Sequence, residues 1–197
     1  MKHFLLLSCF FTFIFLNSFS QPVVGNWSNT GPIPFPINVT GQVNGMGRVS
    51  QIKFHPTNPA IIYAVSSSGG LFITHDTGRT WTPTPGTEML PTTACSAVCI
   101  DYTNDSILYL STGDQNYYSD WYGMYKSTNG GLNWNPANIS IGNRMAIDII
   151  MDPTNHLSVI AATDDGIWKT MDGGATWTET LDSGALKSLE CRSVWRP

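Results

Sequence analysis

Three stretches of the chain carry strand-like apolar runs that end on the same turn. Val49 to Phe54, Ala97 to Ile100 and Ala146 to Met151 lead into Phe54-His55-Pro56-Thr57-Asn58, Ile100-Asp101-Tyr102-Thr103-Asn104 and Met151-Asp152-Pro153-Thr154-Asn155, which align without gaps. Short apolar runs of this kind read as strands, and the Thr-Asn pair reads as a turn between them. A second run begins four residues after each Asn: Ile62-Tyr63-Ala64, Leu108-Tyr109-Leu110 and Val159-Ile160-Ala161. A third follows (Leu71-Phe72-Ile73, Met124-Tyr125-Lys126, Ile167-Trp168-Lys169), and a fourth opens at Trp81, Trp134 and Trp177. The pattern predicts an all-β chain of four-stranded antiparallel units, recurring at 46 and then 51 residues by the Thr-Asn marker. That period and strand count point to β-propeller blades. A lone blade cannot bury both faces, so its stability comes from stacked neighbours.

Between the third and fourth strand of each unit lies one motif: Thr74-His75-Asp76-Thr77-Gly78-Arg79-Thr80-Trp81, Ser127-Thr128-Asn129-Gly130-Gly131-Leu132-Asn133-Trp134 and Thr170-Met171-Asp172-Gly173-Gly174-Ala175-Thr176-Trp177. The acid or amide (Asp76, Asn129, Asp172) can accept backbone N–H groups of a tight turn, and Gly78, Gly131 and Gly174 supply positive φ. The tryptophan is large enough to anchor the hairpin in a core, a burial worth about 2–3 kcal/mol by area. Equivalent burial of Trp81, Trp134 and Trp177 is expected, as is a looser second turn, because Asn129 and Asn133 replace Asp and Thr there. These motifs resemble the Asp-box of the bacterial neuraminidase repeat, shared by sialidases, sortilin-type receptors, xyloglucanase-like glycoside hydrolases and large secreted bacterial proteins. The third copy fits fully; the first has Thr77 where the family often has Gly. The resemblance covers most of residues 45–197 and implies a propeller whose second-to-third-strand loops line the functional rim, with the Asp-boxes on the opposite rim.

Outside the repeat, Met1-Lys2-His3 followed by apolar Phe4 to Phe15 and Ser18-Phe19-Ser20 reads as a secretory signal peptide over residues 1–20. Cys9 is not read as a lipoprotein site, because the apolar run continues past it. Residues 21–48 form a Pro- and Gly-rich lead-in, and residues 49–197 a partial propeller. Ser193-Val194-Trp195-Arg196-Pro197 falls where Ile52 to Pro56 falls in the first unit, so three units and the first strand of a fourth are expected, as the N-terminal portion of a longer protein whose remaining blades pack on these. No other run approaches the roughly 18 apolar residues of a membrane helix. The signal peptide makes the expected location secreted or at the cell surface. Cys95 and Cys99, if on one strand, lie about 13 Å apart, beyond the roughly 7 Å of a disulfide. With Cys191 they are read as free thiols.

Composition narrows the partner. The chain has 197 residues, 18 glycines, 12 prolines and a formal charge of −4. Without a basic run, nucleic acid and anionic membrane surfaces are excluded as partners. The second unit alone carries an aromatic insertion, Gly113-Asp114-Gln115-Asn116-Tyr117-Tyr118-Ser119-Asp120-Trp121-Tyr122-Gly123. Tyr117, Tyr118, Trp121 and Tyr122 suit stacking on sugar rings, and Asp114 and Asp120 suit hydrogen bonding to hydroxyls; the alternative is a loop folded over its own blade or against a neighbouring blade of the longer protein. Hydrolysis of a glycoside needs two carboxyl groups roughly 5–9.5 Å apart. The xyloglucanase-like motif Thr-Asp-x-Gly-Gly corresponds to Ser66-Ser67-Ser68-Gly69-Gly70, where Ser67 replaces the acid. Thr163-Asp164-Asp165-Gly166 makes Asp164 a weak catalytic candidate beside an ordinary Asp-Gly turn. Sialidase chemistry needs converging arginines, and only Arg48, Arg79, Arg144, Arg192 and Arg196 exist, with Arg79 inside an Asp-box. His55, His75 and His156 are scattered without ligand spacing, so no metal is expected. No phosphate loop is present, and no cofactor is expected. The reading is a binding module for glycan or protein, non-catalytic in this segment. The alternatives are a glycoside hydrolase whose other carboxylate lies in further blades, and a structural module or truncated gene product.

Overall fold

A computed structural model describes residues 47–114, 116, 121–137 and 140–182. The signal peptide, nearly all of the lead-in and the start of a fourth unit lie outside the described residues, as does Cys191. The described chain forms three four-stranded antiparallel sheets, one per sequence repeat. Unit one comprises β1 (Val49–Phe54), β2 (Ile62–Ser66), β3 (Gly70–Thr74) and β4 (Thr82–Pro83). Unit two comprises β5 (Cys95–Ile100), β6 (Leu108–Thr112), β7 (Met124–Ser127) and β8 (Asn135–Pro136). Unit three comprises β9 (Ala146–Asp152), β10 (Asn155–Thr163), β11 (Gly166–Thr170) and β12 (Thr178–Asp182). The only helical element among the described residues is the single 3-10 turn Thr87–Met89.

In each unit strands pair in sequence order, joined by reversals alternating between the two ends of the sheet. β4 and β8 are cut short by Pro83 and Pro136, which lack an N–H for a further ladder bond and sit on the outer edge. β12 has no proline and runs longer. The first strands β1, β5 and β9 lie against one another, so they are the inner strands on which the units converge. β5, in the middle, is buried along its whole length, and its small residues Ser96 and Ala97 suit a strand covered on both faces. Cys95 and Cys99 are buried in this strand as free thiols. Burial pushes their pKa values up to about 12 and about 11, so both are unreactive hydrophobes here.

Two cores fill the seams between units. Tyr63, Val65 and Leu71 of unit one meet Cys95, Val98, Ile100, Leu108 and Leu110 of unit two. Ala97, Cys99, Tyr109 and Met124 of unit two meet Ile149, Val159, Ala161, Trp168 and Trp177 of unit three. Polar groups stitch the inner ends: Gln51 accepts the Val98 N–H at 2.7 Å and donates to Asp148 Oδ1 at 2.7 Å, which Lys53 also reaches at 3.0 Å.

The turn motifs close as their chemistry requires. In the first and third, Thr74 and Thr170 Oγ1 donate to Asp76 and Asp172 and accept the amides of Gly78 and Gly174. The carboxylates then accept both the amide and the hydroxyl of Thr80 and Thr176. In the second, Ser127 and Asn129 reproduce this set up to the Asn133 amide at 2.9 Å, with no Thr hydroxyl to supply the last bond. The turn is weaker by that bond and otherwise alike. Each motif also donates one amide to the reversal after the first strand (Thr77 to Ala60, Gly130 to Ser106, Gly173 to Leu157). That amide belongs to a residue with positive φ: 60° for Thr77, against 69° for both Gly130 and Gly173.

Equivalent burial of the three tryptophans is not what the structure has. Trp177 is 3% exposed, whereas Trp81 and Trp134 are half-buried. The reason is directional. The second and third motifs reach back onto the preceding unit: Trp177 Nε1 donates to Ala137 of unit two at 2.9 Å, and Trp134 packs against the core shared with unit one. Among the described residues the Trp81 indole bonds within its own turn, to the Gly78 carbonyl at 3.2 Å.

Candidate functional site

The second-to-third-strand loops lie at the end of the sheets opposite the turn motifs, because successive reversals alternate ends. A shared backbone bond makes their positions equivalent. Ser67, Gly113 and Asp164 each donate their N–H to the residue preceding the first strand of their unit: Arg48, Ala94 and Met145. Asp164 thus stands where Ser67 stands in unit one, and Asp165 stands where Asp114 stands in unit two.

Carboxylates on this rim are engaged. Asp114 pairs with Arg48 of the preceding unit and accepts the Asn116 amide at 2.9 Å. Arg48 also donates to the buried Ser67 hydroxyl at 3.1 Å. Asp165 pairs with Arg144, whose guanidinium lies 5.3 Å over the Trp168 ring, a planar cation on an aromatic face. Asp164 is exposed, and its Oδ1 accepts the Met145 amide at 3.1 Å, the role of a turn-holding side chain rather than a poised acid.

The aromatic insertion is described only at its ends. Tyr117, Tyr118 and Asp120 lie outside the described residues. Trp121 is half-buried and Tyr122 is 39% exposed. The Tyr122 amide donates to Thr112 Oγ1 at 3.0 Å, and that hydroxyl donates to the Gly123 carbonyl at 2.9 Å, which fixes the returning arm of the loop. Gly113, with φ of 123°, admits the rest: a Cβ there would sit 2.6 Å from Trp121 Cδ1 and 3.0 Å from Met145 Sδ. Trp121 is thereby held against the rim backbone beside the third unit. The structure brings together Asp114, Trp121 and Tyr122 and leaves Asp164 on the neighbouring unit.

Arg48, Arg144, Asp165 and Trp168 were not singled out for this rim from the sequence. The signal was there: both arginines stand within two residues of a first strand, and Asp165 adjoins the Asp164 turn. Among the described residues no cluster of His, Cys, Asp or Glu could hold a metal ion. No helix among them is long and apolar enough to cross a membrane.

No family model matches the chain. A xyloglucanase from Paenibacillus sp. is 26% identical over 157 residues, covering 72% of this chain and 15% of that protein. A xyloglucanase from Hypocrea jecorina (strain QM6a) is 27% identical over 158 residues, covering 68% of this chain and 18% of that protein. The GH74 xyloglucanase from Xanthomonas campestris superposes with a TM-score of 0.55 at 22% identity, covering 71% of this chain and 22% of that one. The chain folds as β-propeller blades. A GH74 enzyme from Niastella koreensis agrees, with a TM-score of 0.53 at 24% identity over 66% of this chain and 22% of that one. The chain thus spans less than a quarter of the length of each of these propeller proteins.

Proposed function

We propose that these blades are the glycan-binding part of an exported Asp-box propeller, non-catalytic in this segment, with further blades packing on them in a longer chain. The observation that carries this reading is the pair of aromatics at the described end of the insertion of unit two, Trp121 and Tyr122, on the same loop as the Asp114 that pairs with Arg48. Aromatic faces stack on the apolar faces of sugar rings, and paired charges offer directional donors and acceptors to hydroxyls. Both described rim arginines are neutralised by Asp114 and Asp165, so the described residues of the rim offer no surplus arginine for an acidic sugar. The ligand class that fits is a neutral polysaccharide such as a β-glucan; a protein segment is the competing ligand.

A second reading, a glycoside hydrolase, is favoured by one observation. Asp164 stands at the position of Ser67, where the xyloglucanase-like motif carries its acid. The bond from the Met145 amide counts against it, since a catalytic acid at this place would be committed to holding its own turn. One experiment separates the two. Replacing Gly113–Gly123 by the Asp-Asp-Gly turn of unit three should abolish binding to immobilised β-glucan while the far-ultraviolet circular dichroism stays unchanged. Sugar release that survives this exchange but is lost in Asp164→Asn would establish the hydrolase instead. Binding unchanged by the exchange would make the aromatic loop a cover for its own blade.

A further inference from the structure

The reversals after the first strands begin at equivalent positions with His55, Asp101 and Asp152, and one atom of each side chain holds the turn. His55 Nδ1 accepts the amides of Thr57 at 3.2 Å and Asn58 at 3.1 Å. Asp101 Oδ1 accepts the amide and hydroxyl of Thr103, both at 2.7 Å, and Asp152 Oδ1 does the same for Thr154. Because Nδ1 of His55 is an acceptor, the ring proton sits on Nε2. The outer atom then looks across the seam to the next unit. His55 Nε2 approaches Asp105 Oδ2 of unit two to 3.4 Å without hydrogen-bond geometry, whereas Asp101 Oδ2 is hydrogen-bonded to His156 Nδ1 of unit three at 3.0 Å. Asp105 and His156 occupy one repeat position, the residue after the Asn of each reversal. The two seams use the same two places with acid and base exchanged.

We propose that His55–Asp105 and Asp101–His156 are register locks between consecutive units, the exchange of acid and base matching each unit to its own neighbour. In both seams the turn-holding residue is the deeply buried one, with side-chain exposures of 4% for His55 and 1% for Asp101. A neighbour of the wrong kind therefore sets carboxylate against carboxylate, or imidazole against imidazole, with one member buried and the other, Asp105 or His156, open to solvent at 65% and 41% exposure. Mismatched polar groups of this sort discriminate against alternatives more than they add stability. The Asp101 carboxyl is consistent with the role: burial raises its pKa, yet the Thr103 hydroxyl and amide and His156 outweigh burial and lower it. The lock bears on the rim as well, since Arg48 of unit one reaches Asp114 of unit two across the first seam.

Reciprocal exchange tests this. His55→Asp keeps a turn-holding acceptor, as Asp101 shows, but faces Asp105 with a second carboxylate; Asp105→His faces His55 with a second imidazole. Each single variant of the chain should lower the urea midpoint. The double variant, which copies the second seam, should recover most of the summed loss, with a coupling of about five-fold or more in the folding equilibrium. Additive losses in the double variant would overturn the proposal, as would single variants indistinguishable from the parent. If either exchange fails to fold, Asp105→Asn and His156→Gln provide milder breaks at the two seams. Both should accelerate amide exchange of the Thr103 and Thr57 turns, and unchanged exchange would overturn the proposal equally.

Discussion

Trp177→Ala should be the most damaging of the three tryptophan truncations, and the order should be Trp177, Trp134, Trp81. A tryptophan buries about 200 Å² when fully enclosed, which at about 25 cal/mol per Å² corresponds to about 5 kcal/mol as an upper bound. Trp177 approaches that limit at 3% exposure. Its loss also leaves the Ala137 carbonyl without the indole donor, adding about 1 kcal/mol. Truncating a buried aromatic costs about 3–5 kcal/mol in practice, so a fall of about 4 kcal/mol is expected for Trp177→Ala. Trp134, half-buried against the first seam, should cost about half as much. Trp81, whose indole bonds within its own turn, should cost about 1 kcal/mol. At about 2–4 °C per kcal/mol for a domain of this size, Trp177→Ala should lower Tm by about 10–15 °C. Urea unfolding followed by far-ultraviolet circular dichroism reads all three without relying on the removed fluorophore. Equal losses at Trp81 and Trp177 would refute the claim that the third motif draws its stability from anchoring on the preceding unit.

Thr77→Gly should stabilise the chain by about 0.5–1 kcal/mol, because a β-branched residue at φ of 60° is strained by more than the added freedom of the unfolded glycine costs; an unchanged or lower urea midpoint would show no strain at that turn. Asn129→Asp combined with Asn133→Thr should add about 0.5–1 kcal/mol by supplying the hydroxyl-to-carboxylate bond that Thr80 and Thr176 make, and a neutral result would show that bond to be idle. The Thr80 hydroxyl and amide, followed by the Thr74 hydroxyl, lower the Asp76 pKa from 3.8 to about 2, and the Thr176 and Thr170 groups hold Asp172 well below the usual carboxylate range. The folded values lie below the unfolded ones, so this stability is present above about pH 4 and is lost as pH falls towards and through about 2. Carboxyl carbon shifts against pH would check it, and an Asp76 titrating near 3.8 would contradict the turn geometry.

Fold and turn chemistry were legible because both are local. A hydroxyl, an acid, a glycine and a threonine at fixed spacing can satisfy one another within eight residues whatever surrounds them, and even the second motif, with Ser127 and Asn129, keeps nearly the whole set. Strand order followed from apolar runs bounded by Thr-Asn reversals, whereas β5 and β10 begin earlier than their runs, at Cys95 and Asn155. What spacing could not show was contact between units. The tryptophans look alike in sequence, yet their burial depends on what lies behind each turn. Arg48 meets Asp114 over 66 positions, and Gln51 and Lys53 both meet Asp148, pairings fixed by the convergence of β1, β5 and β9. The His55–Asp105 and Asp101–His156 exchange has the same origin: only superposition of the units shows that two unlike pairs occupy one place. At the rim, Asp114, Trp121 and Tyr122 lie on the second-to-third-strand loop of unit two, whereas Asp164 spends its acceptor on the Met145 amide, a bond no residue pattern announces.

Calorimetric titration with a neutral β-glucan oligosaccharide such as a xyloglucan fragment, with reducing ends assayed in the same cell, bears most directly on the proposed role. Saturable binding is predicted, with affinity falling about ten-fold in Trp121→Ala, a loss of roughly 1.4 kcal/mol expected of a removed stacking contact. No reducing ends should appear. Absence of binding at any oligosaccharide length, or release of reducing ends that disappears in Asp164→Asn, would contradict a non-catalytic glycan-binding rim.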